Sequence, residues 1–223
     1  LGLPMNEPTV FRAGQYIEFV RPDGTRRSYS MANAPSNDGV RQLELHVRMI
    51  PGGKFTDLVF NHLHVRDVQR IEMPLGSFFL REKSEKPMVM LASGTGFAPI
   101  KSIIEYALQR GIRRPITLFW GGRRRLDLYR MELAQQWAAE HGHITFVPVL
   151  SDPTQACQWT GRTGLVHQAV MQDFPDMRGV EVYACGSPLV IESARRDFAE
   201  QCGLAETDFY ADVFLTTAEK TSA

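Results

Sequence analysis

Very little in this chain points to a large charged or lipid partner. Its 25 Lys and Arg are balanced by 25 Asp and Glu, so no one-signed field marks a surface for nucleic acid or anionic membrane. Long apolar runs are missing too. The most sustained, residues 88–92, is far short of the roughly 20 residues that a helical membrane span needs. Cysteine is scarce: Cys157, Cys185 and Cys202 are odd in number and far apart. That pattern excludes a disulfide framework, a zinc site or an iron–sulfur cluster held by these residues alone. No metal site is expected, and the composition suits a soluble, cytoplasmic protein of a reducing compartment. The start, Leu1-Gly2-Leu3-Pro4, has neither an initiator Met nor a signal-peptide pattern, which suggests further residues upstream. The polar stretch 216–223 reads as a frayed tail. With 223 residues the chain can bury one large core or two small ones.

What is present is organised around residues 87–108. Met88-Val89-Met90-Leu91-Ala92 is a short apolar run that reads as a strand buried on both faces. Ser93-Gly94-Thr95-Gly96 follows, where missing side chains let the backbone turn sharply and approach a ligand. Phe97, Ile100, Ile103, Ile104, Ala107 and Leu108 then recur at helical spacing, with Pro99 in the first turn, where its absent N–H costs nothing. Strand, glycine turn and helix start together make an anion site, and a dinucleotide pyrophosphate is the usual occupant. By itself such a turn can be no more than a tight connection. The full G-x-G-x-x-G fingerprint is absent, because Pro99 stands where the third glycine would fall. The acidic residue expected about 20 positions on is replaced by Leu118-Phe119-Trp120-Gly121-Gly122. An ordinary dehydrogenase nucleotide domain is a poor match.

The first 80 or so residues punctuate like an antiparallel β domain. Residues 15–20 alternate polar and apolar, Arg21-Pro22-Asp23-Gly24 is turn chemistry, and residues 26–31 form a return strand. Residues 42–49 alternate again, with Leu43, Leu45, Val47 and Met49 on one face and His46 and Arg48 on the other. Pro51-Gly52-Gly53 breaks the run, apolar residues from 55 to 63 have helical spacing, residues 68–73 read as a further strand, and Pro74-Leu75-Gly76 as a turn. Short strands with frequent turns predict a small barrel. The charge run 81–86 is a solvated linker and a natural boundary, dividing the chain into domains 1–84 and 85–223.

After residue 87 strands alternate with helices: strands at 116–120, 144–150 and 180–185, helices at 126–140, 165–172 and 188–201. Ser187-Pro188 pairs an N-cap residue with a first-turn proline. The predicted fold is an all-β antiparallel barrel followed by an α/β domain with a parallel sheet, whose strand ends bring residues 93–96, 121–123, 151–152 and 186–188 to one edge.

Arg27-Ser28-Tyr29-Ser30 supplies a second anchor. Alone, such a segment is a strand with a packed tyrosine. Ahead of a pyrophosphate-type turn it resembles the flavin motif of the ferredoxin–NADP reductase superfamily. The resemblance implies that Arg27 holds a flavin phosphate, as a guanidinium forks onto phosphate oxygens, that Tyr29 lies against the isoalloxazine as an apolar wall, and that Ser30 hydrogen-bonds near N5. The remaining motifs follow in order. Phe11-Arg12-Ala13-Gly14-Gln15-Tyr16 looks like the early barrel strand. Gly52, Gly53, Lys54, Phe55 and Thr56 look like the flavin pyrophosphate turn, with His46 and Arg48 as further cofactor contacts. Gly94, Thr95, Gly96 and Pro99 look like the nicotinamide-nucleotide turn, with Gly121 and Arg123 from Trp120-Gly121-Gly122-Arg123 beside it. Cys185-Gly186-Ser187-Pro188 resembles the segment whose cysteine approaches the nicotinamide; alone, Cys185 could be a small residue ending a strand, but the whole series of motifs favours the nicotinamide role. The segment 209–214 resembles the family's terminal aromatics near the flavin. Asp212 is the acidic residue implied there in proton or hydride handling, and Phe214 packs near the ring. Within the superfamily the likeness is to reductases of bacterial oxygenases and of CDP-6-deoxyhexose biosynthesis, and to NAD(P)H–flavin reductases. One departure is that the barrel of this family begins about a strand before Leu1.

The resemblance implies a flavoprotein oxidoreductase that takes hydride from NAD(P)H onto FAD, with Ser30, Cys185 and Asp212 at the reacting centres. Electrons then pass to a one-electron acceptor: a [2Fe–2S] ferredoxin domain or protein, or an oxygenase component. The alternatives are a reductase of free flavin and a non-catalytic interaction module. Asp152, in the loop after the third strand, would repel a 2′-phosphate and favours NADH. Arg123, Arg124 and Arg125 argue for NADPH unless they are simply solvated.

Overall fold

The computed structural model describes residues 1–4 and 8–214; the stretch 216–223, read above as a frayed tail, lies outside the described residues. Strand β1 (Tyr16–Val20) carries the expected alternation, with Ile17 and Phe19 buried. It turns at Asp23-Gly24, where Asp23 Oδ1 accepts from both the N–H and the hydroxyl of Thr25 and Gly24 takes φ +79°. The chain returns as β2 (Arg26–Ser30), antiparallel, with Tyr16 opposite Ser30 and Phe19 opposite Arg27. A short helix α1 (Lys54–Asp57) continues as a wider π turn over Leu58–His62. Strand β3 (Ile71–Leu75) closes the sheet in the order β2-β1-β3.

Two strands differ from their sequence-based bounds. β3 starts later than residue 68, whose side chain is 94% exposed, and it runs through Pro74. An edge strand tolerates proline because no further strand needs its N–H. Residues 42–49 do not form a continuous strand. They join the sheet through isolated bridges from Gln42 to Gly2 and from Leu45 to Met31, and through Ala32 N–H to the Glu44 carbonyl at 2.8 Å. Beyond Leu45 the neighbour is the other half of the molecule, which reaches His46 and Arg48 with the side chains of Tyr129 and Asp127. The apolar face fades accordingly, from buried Leu43 to exposed Met49. Phe11, Ile17, Phe19, Met31, Leu43 and Phe55 fill this half's core.

The second half is a six-stranded sheet in the order β7-β6-β5-β4-β8-β9, parallel throughout. Its elements in chain order are β4 (Met88–Ser93), α2 (Phe97–Gln109), β5 (Ile116–Gly122), α3 (Met131–Glu140), β6 (Ile144–Leu150), β7 (Arg162–Thr163), α4 (Val166–Asp173), β8 (Glu181–Gly186), α5 (Pro188–Cys202) and β9 (Phe209–Val213). The four expected strands are the central ones; the two edges were not expected as strands. The helix expected from 126 begins only at Met131, after a 3-10 turn over Arg125–Asp127. Leu126 is 90% exposed, so the apolar pattern there does not face a core. Pro188 opens α5 as expected, while the Ser187 hydroxyl makes no capping hydrogen bond. One core lies under α2 and α3, the other under α4 and α5. Between the halves, the buried Arg114 guanidinium donates to the carbonyls of Lys86 (2.6 Å) and Arg81 (3.0 Å) and to Glu181, tying the connecting segment to the sheet.

Candidate nucleotide and electron-transfer site

The parallel sheet sends every strand's carboxyl end to one edge, and the β half packs against it there. Ser30, at the end of β2, donates from Oγ to Asp212 Oδ2 at 3.4 Å. Asp212 lies on β9 directly beside Cys185 on β8. Residues 182 positions apart are thus joined at one corner. Burial pushes the Asp212 carboxyl up to about 6, against a smaller downward pull from Ser30. The fully buried Cys185 thiol is pushed well up by the same desolvation, with the Asp212 carboxylate adding to it, so it stays protonated and uncharged. Phe214 anchors this end by donating its N–H to the Gly186 carbonyl at 2.8 Å. The tight fit extends to the glycine turn: a Cβ on Gly96 would lie 2.1 Å from the Cys185 carbonyl oxygen.

Beside this corner is a cleft of about 490 Å³, lined by Glu44, His46 and Arg48 from the β half and by Gly94, Thr95, Asp127 and Tyr129 from the α/β half. Gly94 has φ +55°, and a Cβ there would have only an Arg48 guanidinium nitrogen near it, at 4.0 Å. The turn therefore presents bare backbone to the cleft. From beneath it is pinned by Trp120, whose Nε1 donates to the Gly94 carbonyl at 3.0 Å and whose ring stacks on Phe97 at 3.8 Å. Pro99 is buried in the first turn of α2. Arg48 is exposed, with Asp127 3.6 Å away.

On β2, Arg26 pairs with Glu18 and Glu72, so the alternation turns Arg27 to the opposite face, along with Tyr29. Arg27 gives one N–H to the Arg26 carbonyl. Tyr29 is half-buried against Phe19 and Phe55.

Several expected cofactor residues are committed to the protein itself. Phe55 is a core side chain. The Thr56 hydroxyl closes its own turn onto the carbonyls of Gly53 (3.0 Å) and Ile50 (3.2 Å). Gly52 and Lys54 are exposed on that turn, while Gly53 is packed into it, its N–H donating to the Ile50 carbonyl at 2.9 Å. His46 uses both ring nitrogens: Nε2–H donates to Glu44 at 2.9 Å and Nδ1 accepts from the Tyr129 hydroxyl at 2.7 Å, an assignment set by the ionised carboxylate. Gly121 is small because of packing, since a Cβ would strike Val166 on α4 at 2.7 Å. Arg123 gives its N–H to Asp127 at 2.9 Å, Asp152 lies 3.8 Å from Arg124, and Ser187 and Pro188 stand at the start of α5.

Sequence reasoning missed Glu44, Lys101, Tyr129 and Arg130. Lys101 is buried and bonds to Glu44 at 2.9 Å; Arg130 lies 3.6 Å from the same carboxylate. The one available signal was a lysine on the apolar face of α2 beside Ile100 and Ile104.

A barrel-type β half, a parallel α/β half and a cleft between them floored by a glycine turn define a reductase with separate flavin and nicotinamide-nucleotide domains. The chain belongs to the ferredoxin–NADP reductase superfamily: residues 1–80 match the oxidoreductase FAD-binding domain and residues 90–196 the oxidoreductase NAD-binding domain. It is 44% identical over 215 residues to the CDP-6-deoxy-L-threo-D-glycero-4-hexulose-3-dehydrase reductase of Yersinia pestis, covering 96% of this chain and 63% of that protein. It is 36% identical to the phenol 2-monooxygenase reductase component DmpP of Pseudomonas sp. (strain CF600), covering 98% and 62%. Among solved structures, the Amycolatopsis cytochrome P450 reductase GcoB superposes with a TM-score of 0.84 at 37% identity, covering 94% of this chain and 62% of that one. The chain thus spans a little under two thirds of the length of these relatives. The residues present suit the two nucleotides, with unshielded backbone at Gly94, guanidinium groups at Arg27 and Arg48, and the uncharged side chains of Ser30 and Cys185 beside the Asp212 carboxyl.

Proposed function

We propose that this chain is the reductase portion of an electron-transfer system, taking hydride from NADH onto FAD and delivering electrons to a one-electron acceptor, either a [2Fe–2S] ferredoxin domain or protein or an oxygenase component. The observation that carries this reading is the corner where Ser30 of the flavin motif meets Asp212 and Cys185 across the two halves. FAD, when bound, supplies a centre that accepts two electrons together and releases them singly. The protein's part is to bind and orient. Arg27 and the turn at Gly52, Gly53 and Lys54 hold phosphates, Arg48 sits beside the Gly94–Gly96 turn to hold others, and Tyr29 gives one ring an apolar wall. Cys185 and Ser30 flank the reacting atoms without adding charge, and Asp212, its carboxyl raised to about 6, exchanges a proton just below neutrality. Two rings fixed in near-attack geometry need little acid–base power beyond that.

The domains divide at residues 84 and 85 in this reading. A cytoplasmic, reducing setting is supported by the free thiols of Cys157, Cys185 and Cys202; among the described residues no helix is long and apolar enough to cross a membrane. The deciding experiment is an anaerobic titration of the purified protein with NADH, following the visible spectrum. A yellow protein that bleaches with one equivalent supports bound FAD. A colourless one that consumes NADH only with added flavin makes it a free-flavin reductase. A colourless, inert one, with any upstream residues restored, leaves an interaction module.

A further inference from the structure

We propose that Lys101 is a positioning residue that sets the separation between the strand carrying Tyr29 and Ser30 and the turn carrying Gly94 and Gly96. This rests on the reading above of those elements as the flavin and nicotinamide-nucleotide sites. Lys101 sits on α2 about one helical turn past Phe97. Its side chain is 5% exposed, and its ammonium donates to the Ala32 carbonyl at 3.1 Å, to Glu44 Oε2 at 2.9 Å and to Glu105 Oε2 at 2.9 Å. All three N–H groups of the ammonium are therefore used, two of them on the opposite half of the molecule.

Ala32 lies two residues beyond Ser30, so the grip is close to the reacting corner. The next residue along α2 adds to it: Ser102 Oγ donates to the Asn33 carbonyl at 2.9 Å. Asn33 Oδ1 in turn accepts from the Glu44 N–H at 2.9 Å. The segment 30–33 is held at three points by the α/β half, through Asp212, Lys101 and Ser102. Asp212 is on the strand that flanks Cys185, and the other two are on the helix that grows out of the glycine turn.

Stability alone does not call for an ion pair here. Ile100, Ile103 and Ile104 around it are fully buried, and exchanging a whole buried ion pair for apolar packing is often neutral or stabilising, whereas removing the ammonium alone leaves Glu44 and Glu105 without their cation. What a charged donor adds is direction. Apolar contact is non-directional and lets two surfaces slide, whereas three hydrogen bonds near 3 Å fix distance and angle. Ring-to-ring transfer is sensitive to displacements of about an ångström, so a fixed gap at this interface has a kinetic use.

The test compares the FAD-loaded protein with its Lys101→Met form in three ways. These are anaerobic stopped-flow reduction by NADH per bound FAD, NADH affinity, and hydrogen exchange over residues 30–34. The expected result is unchanged FAD content and NADH affinity, reduction slower by roughly 10- to 100-fold, and faster exchange in that segment. Lys101→Arg, which keeps a donor for both carboxylates, should recover part of the rate. If Lys101→Met fails to fold, Lys101→Gln takes its place with the same readouts, since its shorter neutral side chain stays polar but has only two N–H donors for three acceptors. A wild-type rate per bound FAD, or unchanged exchange, in whichever variant folds overturns the proposal. If the wild-type protein itself is not reduced by NADH, the functional reading fails first, and the exchange comparison alone then decides whether Lys101 holds the segment.

Discussion

Two carboxylates face the seam between the halves, and they behave in opposite ways. Asp212 has the Ser30 hydroxyl 3.4 Å away and no cation within salt-bridge reach among the described residues; desolvation wins, and its carboxyl rises to about 6. Glu44 is also pushed upward by burial, but hydrogen bonds from His46 and Lys101 outweigh that and hold it at about 2. Burial therefore does not decide the charge of an interface acid; the presence of a cation does. The Asp212 corner is equipped to keep a proton, and the Glu44 corner to keep a position.

The hardest blow to this contrast is Asp212→Ala. If the corner handles a proton during reduction, the stopped-flow rate with NADH should fall by about 100-fold while FAD stays bound, and Asp212→Glu should return part of it. A rate that hardly changes would reduce the corner to packing.

A smaller effect, of opposite sign at the two corners, is expected in stability against pH. The folded protein binds a proton at Asp212 more tightly than the unfolded chain does. The stability from that site is complete below its ordinary value of 3.8 and is lost as pH rises through about 6. Between pH 4 and 7 the wild type should lose on the order of 2 kcal/mol that Asp212→Asn does not lose, measured by urea midpoints. Glu44 runs the other way: its contribution is complete above 4.5 and is lost as pH falls through about 2. Glu44→Gln should therefore be less stable than the wild type at neutral pH, by on the order of 1 kcal/mol given the side chain's partial exposure, with the gap closing in acid. If both variants shifted in the same direction with pH, the contrast would be wrong.

The two corners were not equally legible in the sequence. Cys185, Ser30 and Asp212 each belong to a segment with a recognisable pattern, and the strand–turn–helix from Met88 announces itself because an apolar run gives way to helical periodicity. The clamp around Glu44 has no local pattern: Lys101 and Glu44 are 57 residues apart, and a lysine on a helix is ordinarily a surface residue. Alternation in residues 42–49 suggests a strand with one apolar face, but a ladder also needs a backbone partner, and that depends on the whole fold. The edges β7 and β9 escaped notice for a related reason. A strand of two residues, Arg162–Thr163, is too short to show any period, and residues 209–214 show the aromatics of a motif rather than a clean alternation. Motif spacing also could not show that Phe55 and the His46 ring nitrogens are spent inside the protein.

A third carboxylate extends the comparison to the exposed limit. Asp152 follows β6, is 56% exposed, and lies 3.8 Å from Arg124, itself 64% exposed. There neither burial nor pairing is strong, and an ion pair so open to water is worth about 1 kcal/mol at most. If this loop meets the adenosine ribose, Asp152 acts twice against NADPH: it repels a 2′-phosphate and it occupies the arginine that could receive one. Asp152→Ser should raise kcat/KM for NADPH by about fivefold, the ratio that roughly 1 kcal/mol yields, and leave NADH nearly unchanged. Steady-state kinetics with both nucleotides decide it. A wild type that already prefers NADPH, or a variant that moves both nucleotides equally, would place the ribose elsewhere. It would also leave the Arg123, Arg124 and Arg125 run as a solvated surface.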